Sequence, residues 1–163
     1  MGWQWASCAV LALLLGPATA EAYRFRGDAI AACVDAGEGA ACIGRETERC
    51  IAVTRGFSAR AMTACTGEEI ARWQDESAWM LEAERDFLRA WDAREDDCTT
   101  RECPSGVEVP DGMETAWRTY REARCRYDTV SFRGTKDGRT VLAGCLLQMT
   151  GEQVLSLRLG DGG

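Results

Sequence analysis

Apolar residues recur at helical spacing over the middle of the chain. Steps of three and four residues, with mostly charged residues between them, link Ile70, Trp73, Ser77, Met80, Glu84, Phe87 and Trp91. This spacing places the side chains on one face of an α-helix. Thr66 and Glu69 form a T-x-x-E capping box, which predicts that the helix begins at Thr66. It is expected to end near Asp97.

Two further helical patterns follow a connection at 98–112 that is rich in proline and glycine. Asp111 and Glu114 give a second capping signature, and the apolar positions behind them are Met113, Ala116, Trp117, Tyr120, Ala123 and Tyr127. This helix is predicted to run to about Asp128. The last pattern comprises Val141, Leu142, Cys145, Leu146, Met149 and Leu157. The patterns together predict an all-α fold, a small helical bundle with about three main helices.

The N-terminus, residues 1–20, has the pattern of a cleavable signal peptide. An apolar run at 9–15 is followed by a Gly-Pro breaker and by Ala18-Thr19-Ala20, a small-x-small cleavage signal. The run is too short for a membrane helix, which needs about 20 apolar residues. We therefore expect a periplasmic or secreted protein. Its mature chain, 21–163, is expected to be a single domain without stable membrane insertion.

Cysteine is the most informative residue type in the mature chain. Cys8 lies in the predicted leader, which leaves an even set of eight cysteines, and cysteines of exported domains generally form disulfides. Sequential spacing favours local pairs that join Cys33 with Cys42, Cys50 with Cys65, Cys98 with Cys103, and Cys125 with Cys145. The alternative of a zinc site is disfavoured because the chain has no histidine and no C-x-x-C pair. Residues 21–57, rich in glycine and cysteine, are predicted to be an irregular cap with one short helix, around 26–35.

Charge and the missing histidine limit the function. The formal net charge is −7, which disfavours nucleic acid as a partner and suits a cationic protein. Without histidine the usual Ser-His and Cys-His nucleophiles are unavailable, so we expect neither an enzyme nor a cofactor or metal site. The remaining catalytic alternative is a glycosidase with paired carboxylates, for which the acids are Glu68, Glu69, Glu82 and Glu84.

The segment 116–125 contains the sequence W-x-x-Y-R-[DE]-A-x-C, formed by Trp117, Tyr120, Arg121, Glu122, Ala123 and Cys125. It resembles the signature of the LprI-like lysozyme-inhibitor domain family. The similarity extends over 50–158 through Cys50, Met62-x-x-Cys65, Arg133-Gly134, Cys145-Leu146, Met149-Thr150 and Leu157-Arg158. The chain departs from the family pattern at Gln74, Ser77, Ala78, Leu81 and Gln153. The resemblance implies an exported, disulfide-bonded helical domain that binds and blocks a lysozyme-like muramidase.

Two charged surfaces are candidates for that contact. The polar turn at 131–139 carries Arg133, Lys136 and Arg139 around a glycine, and a guanidinium there could enter the carboxylate cleft of a muramidase. The other candidate is an acidic helix flank that would face a cationic lysozyme-like protein, formed by Glu82, Glu84, Asp86, Asp92, Glu95, Asp96 and Asp97. Ordinary solvated charge is the simpler interpretation of both.

The aromatic residues and Arg121 are interpreted as structural. Arg121 lies four residues from Trp117 and from Cys125, so it is expected to stack on the indole or to pair with an acid of the first helix. We expect the aromatic rings to be core residues and not a sugar-binding platform; they are Trp73, Trp91, Trp117 and Tyr120. The alternative to an inhibitor is an envelope adaptor or structural module without catalysis. The sequence gives no indication of an oligomeric state.

Overall fold

The computed structural model describes residues 23–55, 57–94 and 106–160. These ranges contain helices and turns and no β-strand, which confirms the all-α prediction. The helices of these ranges are α1 (Gly27–Asp35), α2 (Arg45–Thr54), α3 (Ala59–Asp92), α4 (Glu108–Asp128) and α5 (Gly138–Gly160), with short 3-10 turns at Gly39–Cys42 and Val130–Phe132. There are therefore five helices where about three main helices were predicted. The predicted signal peptide, 1–20, lies outside the described residues.

The longest helix, α3, organises the fold. It has 34 residues, and its most extensive packing is with α5; α2 packs on α3, and α4 packs mainly on α5. A buried cluster forms where α1, α3, α5 and the first 3-10 turn meet, and its members are Ile30, Cys33, Cys42, Trp73, Met80, Leu147 and Val154. Arg158 of α5 pairs with Asp35 of α1 and with Glu76 of α3, so a charged contact joins the same helices.

The predicted start of α3 at Thr66 is wrong. The helix begins at Ala59, and Ser58 caps it, because its Oγ accepts a hydrogen bond from the Ala61 amide at 3.2 Å. Thr66 lies two turns inside the helix and its hydroxyl donates to the Met62 carbonyl at 2.9 Å. The Ser-Ala-Arg-Ala sequence before Met62 supplies a better N-cap residue and good helix formers upstream of Thr66. The T-x-x-E pattern therefore lies inside α3 and does not mark its start.

The connection between α3 and α4 also differs from the prediction. Helix α3 ends at Asp92, before the expected Asp97, and α4 begins at Glu108, before the expected Asp111. Pro110 is accommodated in the first turn of α4 because amides there have no partner within the helix. Asp111 does not cap; its carboxylate accepts from Arg85 Nε at 2.8 Å and ties α4 to α3.

The N-terminal region is more regular than predicted. An irregular cap was expected over 21–57, but α1 and α2 both form there. Helix α1 coincides with the expected short helix at 26–35. Helix α2 was missed because its buried positions are mostly polar: Glu46, Thr47 and Cys50. A helix whose inner face carries polar residues has no apolar periodicity for a sequence pattern to detect.

Glu69 of α3 explains how a polar face can be buried. Its carboxylate is fully buried and accepts hydrogen bonds from the Gly44 amide at 2.7 Å and the Thr47 amide at 2.6 Å. These are free donors at the start of α2, where the helix dipole also favours a negative charge. The indole Nε1 of Trp73 donates to the same carboxylate at 3.1 Å. A side chain predicted to cap its own helix therefore caps a neighbouring one.

Disulfides join the helices in sequence order. Cys33 of α1 is bonded to Cys42 of the first 3-10 turn, Cys50 of α2 to Cys65 of α3, and Cys125 of α4 to Cys145 of α5. These are three of the four pairs that sequential spacing favoured. The fourth expected pair, Cys98 with Cys103, lies outside the described residues. Since the bonded cysteines are oxidised, they are not available as zinc ligands.

Replacing Glu69 by glutamine tests the capping role. The amide group can accept only through its oxygen, so at least one buried donor loses its partner. We expect Glu69→Gln to lower the free energy of unfolding by about 2 kcal/mol, measured by urea denaturation of the oxidised protein. The adjacent Glu68 is exposed on the same turn, and Glu68→Gln should change stability little. Equal effects of the two substitutions would contradict the capping role.

The contact between Gly151 and Ile43 gives a second test. A Cβ at Gly151 of α5 would lie 2.6 Å from Ile43 Cγ1 and 2.7 Å from its Cδ1. Gly151→Ala should therefore destabilise the protein by about 1–2 kcal/mol despite the better helix propensity of alanine. Gly144 of the same helix is exposed with nothing within 4 Å of such a Cβ, so Gly144→Ala should stabilise by up to about 1 kcal/mol. A stabilising Gly151→Ala would rule out the close packing of Ile43 on α5.

Candidate functional site

The loop between α4 and α5 holds the predicted cationic residues. We call residues 129–139 the cationic loop; it contains the 3-10 turn Val130–Phe132 followed by exposed turns. Gly134 has a φ of 81°, a left-handed conformation that glycine adopts without strain. A Cβ at Gly138 would lie 3.1 Å from the Phe132 carbonyl oxygen, so the two ends of this turn approach closely. The Cys125–Cys145 disulfide ties the helices that flank the loop.

The three cations of the loop form no ion pair with the residues that the structure describes. Arg133, Lys136 and Arg139 are all exposed, and no carboxylate of the described ranges lies within ion-pair distance of them. The nearest acid before the loop, Asp128, pairs instead with Arg124 at 3.2 Å. The structure thus places the predicted residues on one exposed loop, with their charges available to a partner.

The acidic flank of α3 is, in contrast, largely paired within its own helix. Glu82 lies 3.1 Å from Arg85 and 3.7 Å from Arg89, and Asp86 also pairs with Arg89. The Asp92 carboxylate accepts a hydrogen bond from the Gly106 amide at 3.2 Å. These contacts reduce the negative charge that the flank presents to a partner. Glu84 is exposed and borders a separate groove, and the remaining members, Glu95, Asp96 and Asp97, lie outside the described residues.

A polar cleft of about 460 Å³ opens between α3, α4 and α5. Its lining includes Glu114, Trp117 and Arg121 of α4 and Thr150 of α5. The positions at which the chain departs from the LprI-like pattern also line this cleft: Gln74, Ser77, Ala78, Leu81 and Gln153. Residues scattered over three stretches of sequence are thus brought to one site, which the sequence alone did not indicate.

Arg121 is the most unusual residue of this cleft. Its side chain is buried, with 7 % of the residue exposed, and its guanidinium carbon lies 4.7 Å from the centre of the Trp117 ring. Nη1 donates to Thr150 Oγ1 at 3.0 Å, whereas Nε is buried without a hydrogen-bond partner. Burial lowers the pKa of Arg121 from its usual value; the carboxylates of Glu122 and Glu114 oppose this shift, and the charge of Arg118 adds to it. The expected stacking on the indole is present.

The alternative role expected for Arg121 was an ion pair with an acid of the first predicted helix, which is α3. It is not seen among the described residues. No carboxylate of the described part of the chain lies within ion-pair distance of its guanidinium. Glu114 lines the same cleft, but its Oε2 is buried and accepts no hydrogen bond. Among the described residues, the Arg121 guanidinium and the Glu114 carboxylate therefore form an ion pair neither with each other nor with another side chain.

The aromatic residues divide between core and surface. Trp73 is fully buried, as predicted, and Trp117 is half-buried beside Arg121. The expectation that Trp91 and Tyr120 belong to the core is wrong, since they are 48 % and 59 % exposed. In α3, Met80, Leu81 and Leu88 turn toward the start of α4 and the end of α5, which leaves the face of Trp91 uncovered. Apolar periodicity identified the residues that share one face of α3, but not how much of that face the neighbouring helices cover.

The acids named for a glycosidase do not form a facing pair. Glu69 is occupied by three hydrogen bonds, Glu68 is exposed, and Glu84 borders a separate apolar groove. Glu82 alone of these four borders the polar cleft, where it is paired with arginines. Within the described ranges, no group of three or more Cys, Asp or Glu side chains is placed to hold a metal ion.

No helix in the part of the chain that the structure describes combines the length and apolar character needed to cross a bilayer.

Comparison with known proteins gives a distant relative. A curated protein of Rhodobacter capsulatus, named as an uncharacterized 17.7 kDa protein in the puhA 5′ region, is 25% identical over 152 residues. The match covers 90% of this chain and 91% of the relative, so the two proteins are similar over nearly their whole lengths. No protein-family model matches the chain, and no solved structure matches it.

Proposed function

We propose that this chain is an exported protein without catalytic activity that binds a lysozyme-like muramidase and blocks it through the cationic loop. The observation that carries the proposal is the loop itself. Arg133, Lys136 and Arg139 are exposed without ion pairs among the described residues, and the Cys125–Cys145 disulfide ties the two helices that present them.

The chemistry of a muramidase cleft suits such a loop. Glycosidases of this kind cleave sugar chains between two carboxylates, and a guanidinium can bind a carboxylate through two parallel hydrogen bonds. A loop held by a disulfide loses less conformational freedom on binding than a free segment. Each of these features favours occupation of the cleft by an arginine of the loop.

The overall charge of the chain supports the same partner. A formal net charge of −7 would steer the protein toward a cationic enzyme, while the local charge of the loop is positive. Long-range attraction and the contact at the cleft are then supplied by different parts of the surface. The resemblance of 116–125 to the LprI-like signature points to the same class of target.

Export is part of the proposal. Disulfides persist in oxidising compartments such as the periplasm and the extracellular space, and three are present among the described residues. The signal-peptide pattern of residues 1–20 agrees with this assignment. We therefore propose that the protein acts in the periplasm or after secretion.

An envelope adaptor is the second candidate, and exposed aromatic residues favour it. Phe87 and Trp91 are 54 % and 48 % exposed, and their ring centres lie 6.2 Å apart on α3. Aromatic side chains are enriched at protein interfaces. An adaptor would bind its partner through such a surface and leave muramidase activity unchanged, which distinguishes it from an inhibitor.

Lysis of a peptidoglycan suspension by c-type lysozyme tests the proposal. The oxidised protein in molar excess should slow lysis, and reduction of its disulfides should remove the effect. Replacement of Arg133, Lys136 and Arg139 by alanine should weaken inhibition at least about tenfold, because charge-assisted hydrogen bonds contribute about 1.5–3 kcal/mol each.

The matched control removes three positive charges from a different part of the surface. Arg24, Arg55 and Arg60 are exposed and lie outside the cationic loop, so their replacement by alanine should leave inhibition intact. Equal loss in the two triple variants would attribute the effect to net charge and contradict the proposed contact. Absence of inhibition across several lysozyme classes would contradict the inhibitor proposal and favour the envelope adaptor.

A further inference from the structure

The polar cleft between α3, α4 and α5 contains a buried positive charge, Arg121, that forms no ion pair with the described residues. Arg121 is 7 % exposed, and its polar contacts are with the Thr150 hydroxyl and the face of the Trp117 ring. Its Nε is buried and makes no hydrogen bond. Burying a charged group is costly unless an opposite charge and hydrogen bonds compensate it. An anion bound in the cleft would supply both.

Glu114, in the same cleft, is a carboxylate that lacks a positively charged partner among the described residues. It lines the cleft, and its Oε2 is buried without a hydrogen-bond donor. None of the arginines in the described ranges lies within ion-pair distance of it: Arg85 pairs with Glu82 and Asp111. A donor with positive charge would therefore complete this end of the cleft.

The two groups are held apart by the geometry of α4. Glu114 and Arg121 are seven residues apart, so they lie on one face of the helix with about 10 Å between their Cα atoms. Trp117 lies between them on that face and also lines the cleft. A carboxylate, an indole and a guanidinium thus follow one another along a single helical face.

This order is complementary to an elongated zwitterion. A ligand with an ammonium group at one end and a carboxylate at the other could satisfy Glu114 and Arg121 together, with its middle over Trp117. Gln74 of α3 and Gln153 of α5 border the cleft and offer neutral amides to a polar centre such as a peptide bond. The volume of about 460 Å³ is within the usual range for small-molecule sites.

We infer that this cleft binds a small zwitterion, such as a short peptide or an ω-amino acid, with its carboxylate on Arg121 and its ammonium group on Glu114. The site is distinct from the cationic loop, and it stands on a different observation. It gives the protein a small-molecule ligand in addition to any macromolecular partner.

Titration calorimetry of the oxidised full chain with simple probes tests the inference. We use 6-aminohexanoate and alanyl-alanine as zwitterions, with acetate and ethylammonium as the separate charges. At least one zwitterion should bind with a millimolar or lower dissociation constant, and each single-charge probe at least about tenfold more weakly, a difference of about 1.4 kcal/mol. Absence of zwitterion binding, or equal binding of zwitterion and acetate, would overturn the inference.

Variants of α4 locate the site. Glu114→Gln keeps the size of the side chain and removes its charge, so it should weaken zwitterion binding about tenfold or more and should not weaken acetate binding. Glu108 is exposed on the same helix and does not line the cleft; Glu108→Gln is the matched control and should bind the zwitterion normally. Equal effects of the two substitutions would overturn the assignment to the cleft.

Two substitutions test the role of Arg121, because the first of them could also affect folding. Arg121→Gln should abolish binding of both zwitterion and acetate, provided that its circular dichroism shows a folded protein. Thr150→Val is the second variant: it removes the hydroxyl that holds Arg121 and should weaken the binding of both probes. Normal binding in either folded variant would overturn the inference. Alanine substitution of the cationic loop should leave zwitterion binding unchanged, which separates this site from the proposed inhibitory contact.

Discussion

The buried carboxylate of Glu69 is the contact on which the arrangement of the N-terminal half depends. It accepts the Gly44 and Thr47 amides at the start of α2 and the indole N–H of Trp73 in the core. A fully buried charge requires such donors, and the first amides of α2 require an acceptor. Each group satisfies the other, which fixes the start of α2 against α3. The Cys50–Cys65 disulfide then joins the same two helices covalently.

Buried polar side chains, ion pairs and disulfides also hold the rest of the bundle together. The largest fully buried side chains include Glu69 and Thr150 as well as Trp73 and Val154, so the interior is not purely apolar. Arg158 connects α5 to α1 and α3 through two carboxylates, and disulfides restrict the unfolded chain, which contributes about 2–4 kcal/mol each. A domain of this size can therefore keep long helices together around a modest hydrophobic cluster. It can also tolerate a polar cleft at the junction of α3, α4 and α5.

The sequence predicted the parts of the fold that follow from apolar periodicity and local cysteine spacing. Three long helices and the cationic loop were found in this way, because each depends on residues close together in the chain. Helix α2 was missed because Glu46 and Thr47 form its buried face, and the capping role of Glu69 was missed because the Gly44 and Thr47 amides are more than 20 residues away. The cleft was not predicted, since Thr150 meets Arg121 only when α5 packs on α4. The opposite charges of Glu114 and Arg121 on either side of Trp117 were a signal that the sequence did contain.

Hydrogen exchange of the oxidised protein, with and without c-type lysozyme, tests the proposed inhibitory surface most directly. Lysozyme should slow amide exchange at 129–139, with little change along the paired acidic flank of α3. Protection confined to that flank, or to the exposed aromatic residues of α3, with none in the cationic loop, would contradict the proposed contact.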